Sequence, residues 1–373
     1  MQISALKENF KNENRVALTP DTIKLFQRLG LEVLIEDGAG NNSGYPNDLY
    51  EANGAKIASR DQCLKANICL CVKIPNDNDL QQLNENTVLI GISNPYENKK
   101  YFNTLNEKKI ISCCMELIPR ISRAQSMDVL SSQANLAGYR SVIDAAEQFG
   151  KAFPMMMTAA GRVNPAKVMV LGVGVAGLQA IATAKRLGAV VSATDVRSAT
   201  KEQVESLGGK FIMVEDEESS NAETEGGYAK EMSEEYKQKQ AKLIAETIAK
   251  QDIVICTALI PGKKAPVLIS QEMVESMASG SVVVDLAVEA GGNCPLSKEG
   301  EVVDHGGVKI VGYANVPGRV AKDASALYAK NIFNFLSLII NKDDKKINFN
   351  WEDEIVNAVT LTHEGKLRLE QFN

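Results

Sequence analysis

The sequence predicts an α/β protein with two domains, each built on a parallel sheet covered by helices. Three observations support this prediction. The chain has 373 residues, more than one hydrophobic core usually needs. Short β-branched runs alternate with amphipathic helical stretches along most of it, as in parallel sheets with helices on both faces. A glycine-rich stretch near the middle joins a strand-like run to a helix-like run.

Two alternating series of elements follow one another along the chain. The first predicts helices over 20–29 and 96–107 and strands over 33–36, 68–73, 88–93 and 109–113. The second predicts helices over 176–187, 200–207, 233–250 and 270–277 and strands over 168–171, 190–194, 211–214, 253–256, 282–285 and 309–311. Long helical patterns over 127–149 and 320–340 join the series. We therefore expect a discontinuous domain, 1–126 plus 320–373, linked by long helices to a second domain over 127–319.

Composition and charge exclude several classes of protein. Hydrophobic residues make up 45% of the chain and charged residues 24%, which is typical of a soluble globular protein. The net charge is −6, and segment 215–236 alone carries nine acidic residues and one lysine, so the remainder is about +2 and lacks a basic footprint for nucleic acid. The apolar run 332–340 is nine residues long and contains Asn334, whereas a bilayer span needs about 20 residues. We see no signal peptide.

The cysteines indicate a reducing compartment. None of the seven stands at CxxC spacing, and most lie in or beside β-like apolar runs. We expect buried thiols in a cytoplasmic protein, and no metal site.

The glycine-rich stretch predicts a dinucleotide-binding domain of Rossmann type. Gly172 allows a tight turn after the strand, Gly174 lets the backbone approach a pyrophosphate, and Gly177 allows close packing of helix on strand. The start of the helix offers backbone amides to phosphate groups. The remaining candidate cofactor-binding residues of this turn are Val173, Val175 and Ala176.

An aspartate favours NAD(H) over NADP(H). Asp195 ends the second strand of this domain, 23 residues after Gly172, where it can accept hydrogen bonds from ribose hydroxyls and repel a 2′-phosphate. Arg197 qualifies this preference, because an arginine there could pair with a phosphate.

The chain is poor in acid–base residues. It has two histidines, His305 in a predicted turn and His363 in a polar C-terminal tail, and we expect both at the surface. Dehydrogenases that act on alcohols or amines need a group that moves a proton. The sequence therefore favours a reaction in which the protein transfers none.

Several stretches resemble one known family. These are ENRVALTP, IPRISRAQSMDVLSSQANLAGYRSV, the glycine-rich stretch, VDLAVEAGGN and GYANVPGRVAKDASALYAKNIFNFL. They are similar to the NAD(H)-binding component, domain I, of proton-translocating NAD(P) transhydrogenase, in the form that is a separate α1 subunit. Alanine dehydrogenase is a related family with the same fold.

The resemblance implies roles for individual residues. The candidate catalytic residues, also expected to meet the nicotinamide end of the cofactor, are Arg120, Gln125, Asp128 and Ser131; Asp128 also fits a helix cap. The adenosine half would meet Asp195, Val196, Arg197, Gln240 and Leu259. The resemblance further implies that NAD(H) binds in a cleft between the two domains.

The resemblance also implies a reaction and partners. Hydride would pass directly between NAD(H) on this chain and NADP(H) on another chain, since only one Rossmann fingerprint is present. The partners would be a β subunit with an NADP(H)-binding domain and a membrane α2 subunit, with this chain a homodimer on the cytoplasmic, inner face of the membrane. The implied enzyme is an NAD(P)+ transhydrogenase, taken to be Si-specific and proton-translocating.

Two alternatives stay open. In alanine dehydrogenase, Arg15 and Lys73 would match the positions that bind pyruvate, but no histidine follows the strand VLIGIS, and Glu289 replaces an aspartate. The other alternative is a non-catalytic NAD(H) sensor, which binds cofactor without turnover.

The acidic segment 215–236 is predicted to be a mobile loop. By resemblance it would close over bound NAD(H), with Gly226 and Gly227 as a bend and Tyr228 and Met232 as apolar contacts with adenosine.

Overall fold

The computed structural model describes residues 1–214, 233–260, 262–341 and 343–372 and divides into two compact units. Unit 1 combines Met1–Gln133 with Pro317–Asn373, and unit 2 is Ala134–Val316. The chain therefore completes unit 2 before it returns to unit 1.

The described residues form seventeen strands and twelve α-helices. The strands are β1 (Gln2–Ala5), β2 (Glu32–Glu36), β3 (Lys56–Ala58), β4 (Ile68–Lys73), β5 (Val88–Ile92), β6 (Ile111–Cys114), β7 (Met156–Thr158), β8 (Gly161–Val163), β9 (Lys167–Leu171), β10 (Val190–Thr194), β11 (Lys210–Phe211), β12 (Ile253–Cys256), β13 (Val282–Asp285), β14 (Val302–His305), β15 (Val308–Val311), β16 (Thr360–His363) and β17 (Lys366–Leu367). The helices are α1 (Pro20–Arg28), α2 (Asn47–Ala52), α3 (Arg60–Leu64), α4 (Asp77–Gln82), α5 (Phe102–Glu107), α6 (Val129–Gln148), α7 (Val175–Arg186), α8 (Thr200–Ser206), α9 (Glu234–Ile248), α10 (Gln271–Glu275), α11 (Ala321–Ile339) and α12 (Glu354–Val359).

Unit 1 is built on an eight-stranded sheet. Its order is β17-β16-β6-β5-β4-β1-β2-β3, with β1 at the reversal of strand order, and the strands from β6 to β3 are parallel. Both faces are buried, because Ile68 and Leu70 of β4 join one apolar cluster while Cys69 and Cys71 join another. A strand buried on both faces carries a continuous apolar run, which is why the sequence predicts β4.

Unit 2 repeats this arrangement around β9. Its seven-stranded sheet has the order β11-β10-β9-β12-β13-β15-β14 and is parallel except for β14. Alternate residues of β9, Val168 and Val170 against Met169 and Leu171, enter the cores on its two faces. Strand order reverses at β9, and ligands of open α/β sheets bind at such a point, beyond the carboxyl ends of the strands. The predicted α/β class with parallel sheets is confirmed.

Side-chain caps explain where several helices begin. Ser59 caps α3 by accepting from the Gln62 amide at 3.3 Å, and Asn76 caps α4 by accepting from the Asp79 amide at 3.1 Å. Asp353 caps α12 in the same way. Such caps satisfy amides that have no partner within the helix.

Most predicted elements are confirmed, and three details were wrong. The helix predicted over 96–107 is α-helical only from Phe102, because Asn94 at φ +45° closes a turn with the Glu97 and Asn98 amides. The strand predicted over 211–214 is only β11, since the Val214 amide donates to the Gln240 side chain instead. The C-terminal tail is no tail, since β16 joins the sheet beside β6.

Both histidines lie on strands. His305 ends β14 and contacts Glu275 at 3.0 Å, with the turn beginning at Gly306. His363 ends β16 and packs edge-on against Trp351, with ring centroids 4.7 Å apart. Neither follows β5, where alanine dehydrogenase would need an imidazole.

All seven cysteines are buried and free of disulfides, as predicted. Across the described ranges, no helix is long and apolar enough to cross a membrane. The same residues contain no group of three or more potential metal ligands.

Candidate functional site

The glycine turn between β9 and α7 is shaped by three different constraints. Gly172 adopts φ +96°, a conformation that side chains strain. A Cβ on Gly177 would lie 2.0 Å from the Gly172 carbonyl oxygen, so the helix packs on the turn with no room to spare. A Cβ on Gly174 would meet no atom within 4 Å. Protein packing therefore explains two of the glycines, and the open space beside Gly174 suits a ligand.

The first turn of α7 presents backbone amides to this space. Gly174 is the N-cap residue of α7, and no side chain caps the helix. The first-turn amides of Val175, Ala176 and Gly177 have no partner within a helix, and an uncapped N-terminus attracts anions. Val175 is 40% exposed. These groups fit a pyrophosphate.

Asp195 stands beside the turn at the end of β10. Its Oδ2 accepts a hydrogen bond from the Val173 amide at 2.6 Å, which fixes the aspartate against the glycine turn. Its Oδ1 accepts from the amide and the Nε of Arg197, both at 2.9 Å. The structure therefore brings together Asp195, Arg197 and the glycine turn, as the sequence predicts.

The Asp195–Arg197 pair sets the charge at this point. Burial alone would raise the pKa of Asp195, but hydrogen bonds from Arg197 and the Val173 amide outweigh it and hold that pKa below its usual range. The hydrogen bond to Asp195 raises the pKa of Arg197 in turn. Asp195 is thus ionised at neutral pH, and Arg197 is engaged by it rather than directed at a phosphate.

The loop after β12 forms another wall of this region, and sequence reasoning missed how it is held. Thr257 Oγ1 donates to the Gly172 carbonyl at 2.9 Å. Asn293, fully buried, donates from Nδ2 to the Ala258 carbonyl at 2.9 Å and accepts from the Ala258 amide at 3.2 Å. Asp285 holds Asn293 by accepting from its amide at 2.9 Å. The motif VDLAVEAGGN therefore positions this loop, a role that no local signal in the motif indicates.

Leu259 and Val196 expose apolar side chains at the carboxyl ends of β12 and β10. Leu259 is 55% exposed and Val196 is 86% exposed, and both immediately follow residues that shape the site. Exposed aliphatic groups of this kind can pack on a flat ring.

Gln240 has a structural role in addition to the one predicted for it. Its Oε1 accepts from the Val214 amide at 2.8 Å, and its Nε2 donates to the Ile212 carbonyl and to Thr194 Oγ1, both at 3.3 Å. Gln240 therefore fastens α9 to the ends of β10 and β11. Gly226, Gly227, Tyr228 and Met232 of the acidic segment lie outside the described residues.

The loop 120–131 of unit 1 carries the candidate catalytic residues. It runs through a 3₁₀ helix, Ser122–Met127, into α6. Asp128 caps α6, since its Oδ1 accepts from the Ser131 amide at 2.8 Å and its Oδ2 from the Ser131 hydroxyl at 2.6 Å. The predicted cap is therefore present, and it ties two candidate residues together. Arg120 and Gln125 are exposed.

The residues expected to bind pyruvate in alanine dehydrogenase are engaged with other groups in unit 1. Arg15 is buried and donates from Nε and Nη2 to the Glu13 carboxylate at 2.8 and 2.7 Å and from Nη1 to Gln133 at 2.8 Å. Lys73 lies 5.9 Å from the centre of the Phe10 ring.

The place after β5, where alanine dehydrogenase would carry its histidine, is occupied differently. The Glu116 carboxyl lies there, and its Oε1 accepts from the Ser93 amide at 2.8 Å and from the Asn94 amide. Burial raises the pKa of Glu116 to about 7, although these hydrogen bonds lower it. Its buried Oε2 has no hydrogen-bond partner among the described residues. The loop therefore holds a carboxyl that supports the backbone.

Comparisons with known proteins agree with this geometry. Residues 4–137 match the alanine dehydrogenase/PNT N-terminal domain, and residues 141–370 match the C-terminal domain. The first of the parts that make up NAD(P) transhydrogenase subunit alpha of Rhodospirillum rubrum is 55% identical over 374 residues, which are 98% of this chain and 97% of that protein. The transhydrogenase structure from Sinorhizobium meliloti has a TM-score of 0.91 at 50% identity, covering 98% of this chain and 100% of that one. An L-alanine dehydrogenase structure, at 22% identity and a TM-score of 0.84 over 100% of this chain and 98% of its own, shows a shared fold.

Proposed function

The chain belongs to the alanine dehydrogenase/PNT family, and on that premise we propose that it is the NAD(H)-binding subunit of a proton-translocating NAD(P) transhydrogenase. Nicotinamide nucleotide binding is common to the family. The finer assignment rests on the sequence likeness together with the geometry of the glycine turn and of the loop after β5.

The observation that carries the choice of NAD(H) is the Asp195–Arg197 pair beside the open glycine turn. A 2′-phosphate would meet the ionised Asp195, and Arg197 is already hydrogen-bonded to it at 2.9 Å. Ribose hydroxyls are donors, and they can share the carboxylate where a phosphate is repelled. NADP(H) is then left to a partner subunit.

The bound cofactor supplies the chemistry: hydride moves from C4 of NADH to C4 of NADP+, which gives NAD+ and NADPH. The protein gains and loses no proton at the reacting carbons, so its task is positioning at about 3–3.5 Å with water excluded. We assign Arg120, Gln125, Asp128 and Ser131 to the nicotinamide half of the cofactor, and the glycine turn to its pyrophosphate. The absence of a histidine after β5 supports a reaction without acid–base catalysis.

The proposal includes partners. NADP(H) would be bound by a β subunit, and a membrane α2 subunit would complete the complex and couple hydride transfer to proton translocation. This chain would act as a homodimer on the cytoplasmic face of the membrane. The Si assignment also stays a prediction, which NADH deuterated stereospecifically at C4 can check.

One assay separates the candidate functions. The purified chain is mixed with an NADP(H)-binding partner domain, and reduction of an NAD+ analogue by NADPH is followed. We expect transfer only when both proteins are present, and no oxidation of NADH with pyruvate and ammonia by this chain alone. Pyruvate- and ammonia-dependent oxidation would instead establish alanine dehydrogenase. Cofactor binding without turnover in either assay would favour a sensor.

A further inference from the structure

Two asparagines of α11 are hydrogen-bonded to the loop that carries Gln125. Asn331 Nδ2 donates to the Ser126 carbonyl at 2.8 Å, and Asn334 Nδ2 donates to the same oxygen at 2.9 Å. The two residues lie three positions apart and so share one face of the helix. The flanking Ile332 and Phe335 are fully buried, so the asparagines interrupt an apolar helix.

An amide side chain in such a place destabilises the fold unless it is hydrogen-bonded. Asn331 is 7% exposed, and its Oδ1 also accepts from the Ser132 hydroxyl at 2.8 Å. It therefore joins the end of the 3₁₀ helix to the first turn of α6. A single carbonyl, that of Ser126, receives donors from both asparagines, which fixes the backbone next to Gln125.

Asp353 anchors the loop at a second point. Arg123 donates from Nη1 to Asp353 Oδ2 at 2.7 Å and from Nη2 to Oδ1 at 2.9 Å, a two-point contact that sets direction as well as distance. Asp353 is itself fixed, because it caps α12 by accepting from the Ile355 amide at 2.9 Å. The hydrogen bonds from Arg123 hold the pKa of Asp353 below its usual range.

The loop is thus held from one side and free on the other. Ala124 and Met127 are buried, and Arg123 and the Ser126 carbonyl are bound. The side chains of Arg120 and Gln125 are exposed and make no hydrogen bond or ion pair with any other described residue. A fixed backbone that presents two uncommitted polar side chains suits a reaction whose rate depends on position.

We propose that Asn331, Asn334 and Asp353 are positioning residues for hydride transfer, which act by fixing the loop 120–128 so that Gln125 is presented in one orientation. This inference rests on the proposed function. It predicts that loosening the loop lowers the rate of transfer while NADH still binds, because a displacement of about 1 Å costs about 100-fold in rate.

The test is a double-mutant cycle. Asn331→Ala/Asn334→Ala is expected to lower kcat with the partner domain about 10- to 100-fold, with the Kd for NADH within about twofold of wild type. In a Gln125→Ala background the same pair of changes should have little further effect on kcat, because the group they position is gone. Ser337→Ala, which removes a bond from Ser337 to the Phe333 carbonyl within α11, is the matched control and should leave kcat unchanged.

Hydrogen exchange measured by mass spectrometry gives a readout that does not depend on activity. Amide exchange in the peptide covering 120–128 should rise at least about tenfold in the Asn331→Ala/Asn334→Ala variant and stay at the wild-type level in Ser337→Ala. Unchanged exchange overturns the proposal, as does a loss of kcat of equal size with and without Gln125. Wild-type protein that transfers no hydride would refute the proposed function and the catalytic part of this inference, and the exchange data would then decide the clamp alone.

Discussion

The two units have the same strand order but differ in what fills the turn after the central strand. In unit 1 the order β3-β2-β1-β4-β5-β6 places β1 at the reversal point, and in unit 2 the order β11-β10-β9-β12-β13-β15 places β9 there. Beyond β9 the chain has three glycines and an uncapped helix. Beyond β1 it has the acidic residue Glu8 and the buried ion pair of Glu13 with Arg15.

The backbone amides show the consequence. In unit 1 the Val72 amide donates to Glu8 at 2.6 Å, and the Ser93 amide donates to Glu116 at 2.8 Å. In unit 2 no side chain caps the first turn of α7. Topology creates a crevice in each sheet, and the residues at its edge decide whether a ligand or the protein's own carboxyl groups satisfy the amides.

The largest expected effect tests the glycine turn of unit 2. Gly177→Ala should destabilise the fold by about 1–3 kcal/mol or more, because its Cβ would lie 2.0 Å from the Gly172 carbonyl oxygen. Gly174→Ala should leave the urea midpoint unchanged but weaken NADH binding at least about tenfold, because its Cβ enters the open space. Unfolding curves and NADH titrations of both variants check this. Equal effects of the two changes on stability would contradict the distinction.

A smaller effect tests the charge beside that turn. Asp195→Asn should weaken NADH binding about tenfold, since hydrogen bonds to a charged acceptor contribute about 1.5–3 kcal/mol. NADPH should gain relative to NADH, because the repulsion of its 2′-phosphate disappears and Arg197 is released. Titrations with both nucleotides measure the ratio, with the exposed turn residue Asp304→Asn as control. An unchanged preference would remove Asp195 from the selectivity of the site.

The smallest effect concerns the filled edge of unit 1. The pKa of Glu116 is raised from 4.5 to about 7 in the folded chain, so the folded state keeps a proton that the unfolded state releases. Stability should therefore fall as the pH rises from about 4.5 through about 7 and then level off. Glu116→Gln should match wild type near pH 5 and exceed it by about 2–3 kcal/mol at pH 9.

Urea unfolding at the two pH values measures this difference, with Glu85→Gln, whose side chain is 60% exposed, as control. If wild type and Glu116→Gln lose the same stability between pH 5 and pH 9, Glu116 is not the group responsible.

The sequence by itself determined the parts of the molecule whose signals are local. Buried parallel strands such as β4 and β12 carry continuous apolar runs, and α6, α7 and α11 have helical spacing over many residues. The glycine turn and Asp195 were predictable for the same reason, because the turn, the helix start and the following strand lie within one short stretch of chain.

Only the tertiary structure decided the features that join distant residues. Asn334 interrupts an apolar run in the sequence, and its bond to Ser126, more than 200 residues away in sequence, becomes visible only when α11 packs beside the loop. The role of Asn293 in holding Ala258, the carboxyl of Glu116 after β5, and the place of β16 beside β6 have the same character. Each depends on which elements pack together, and residue spacing along the chain does not record that.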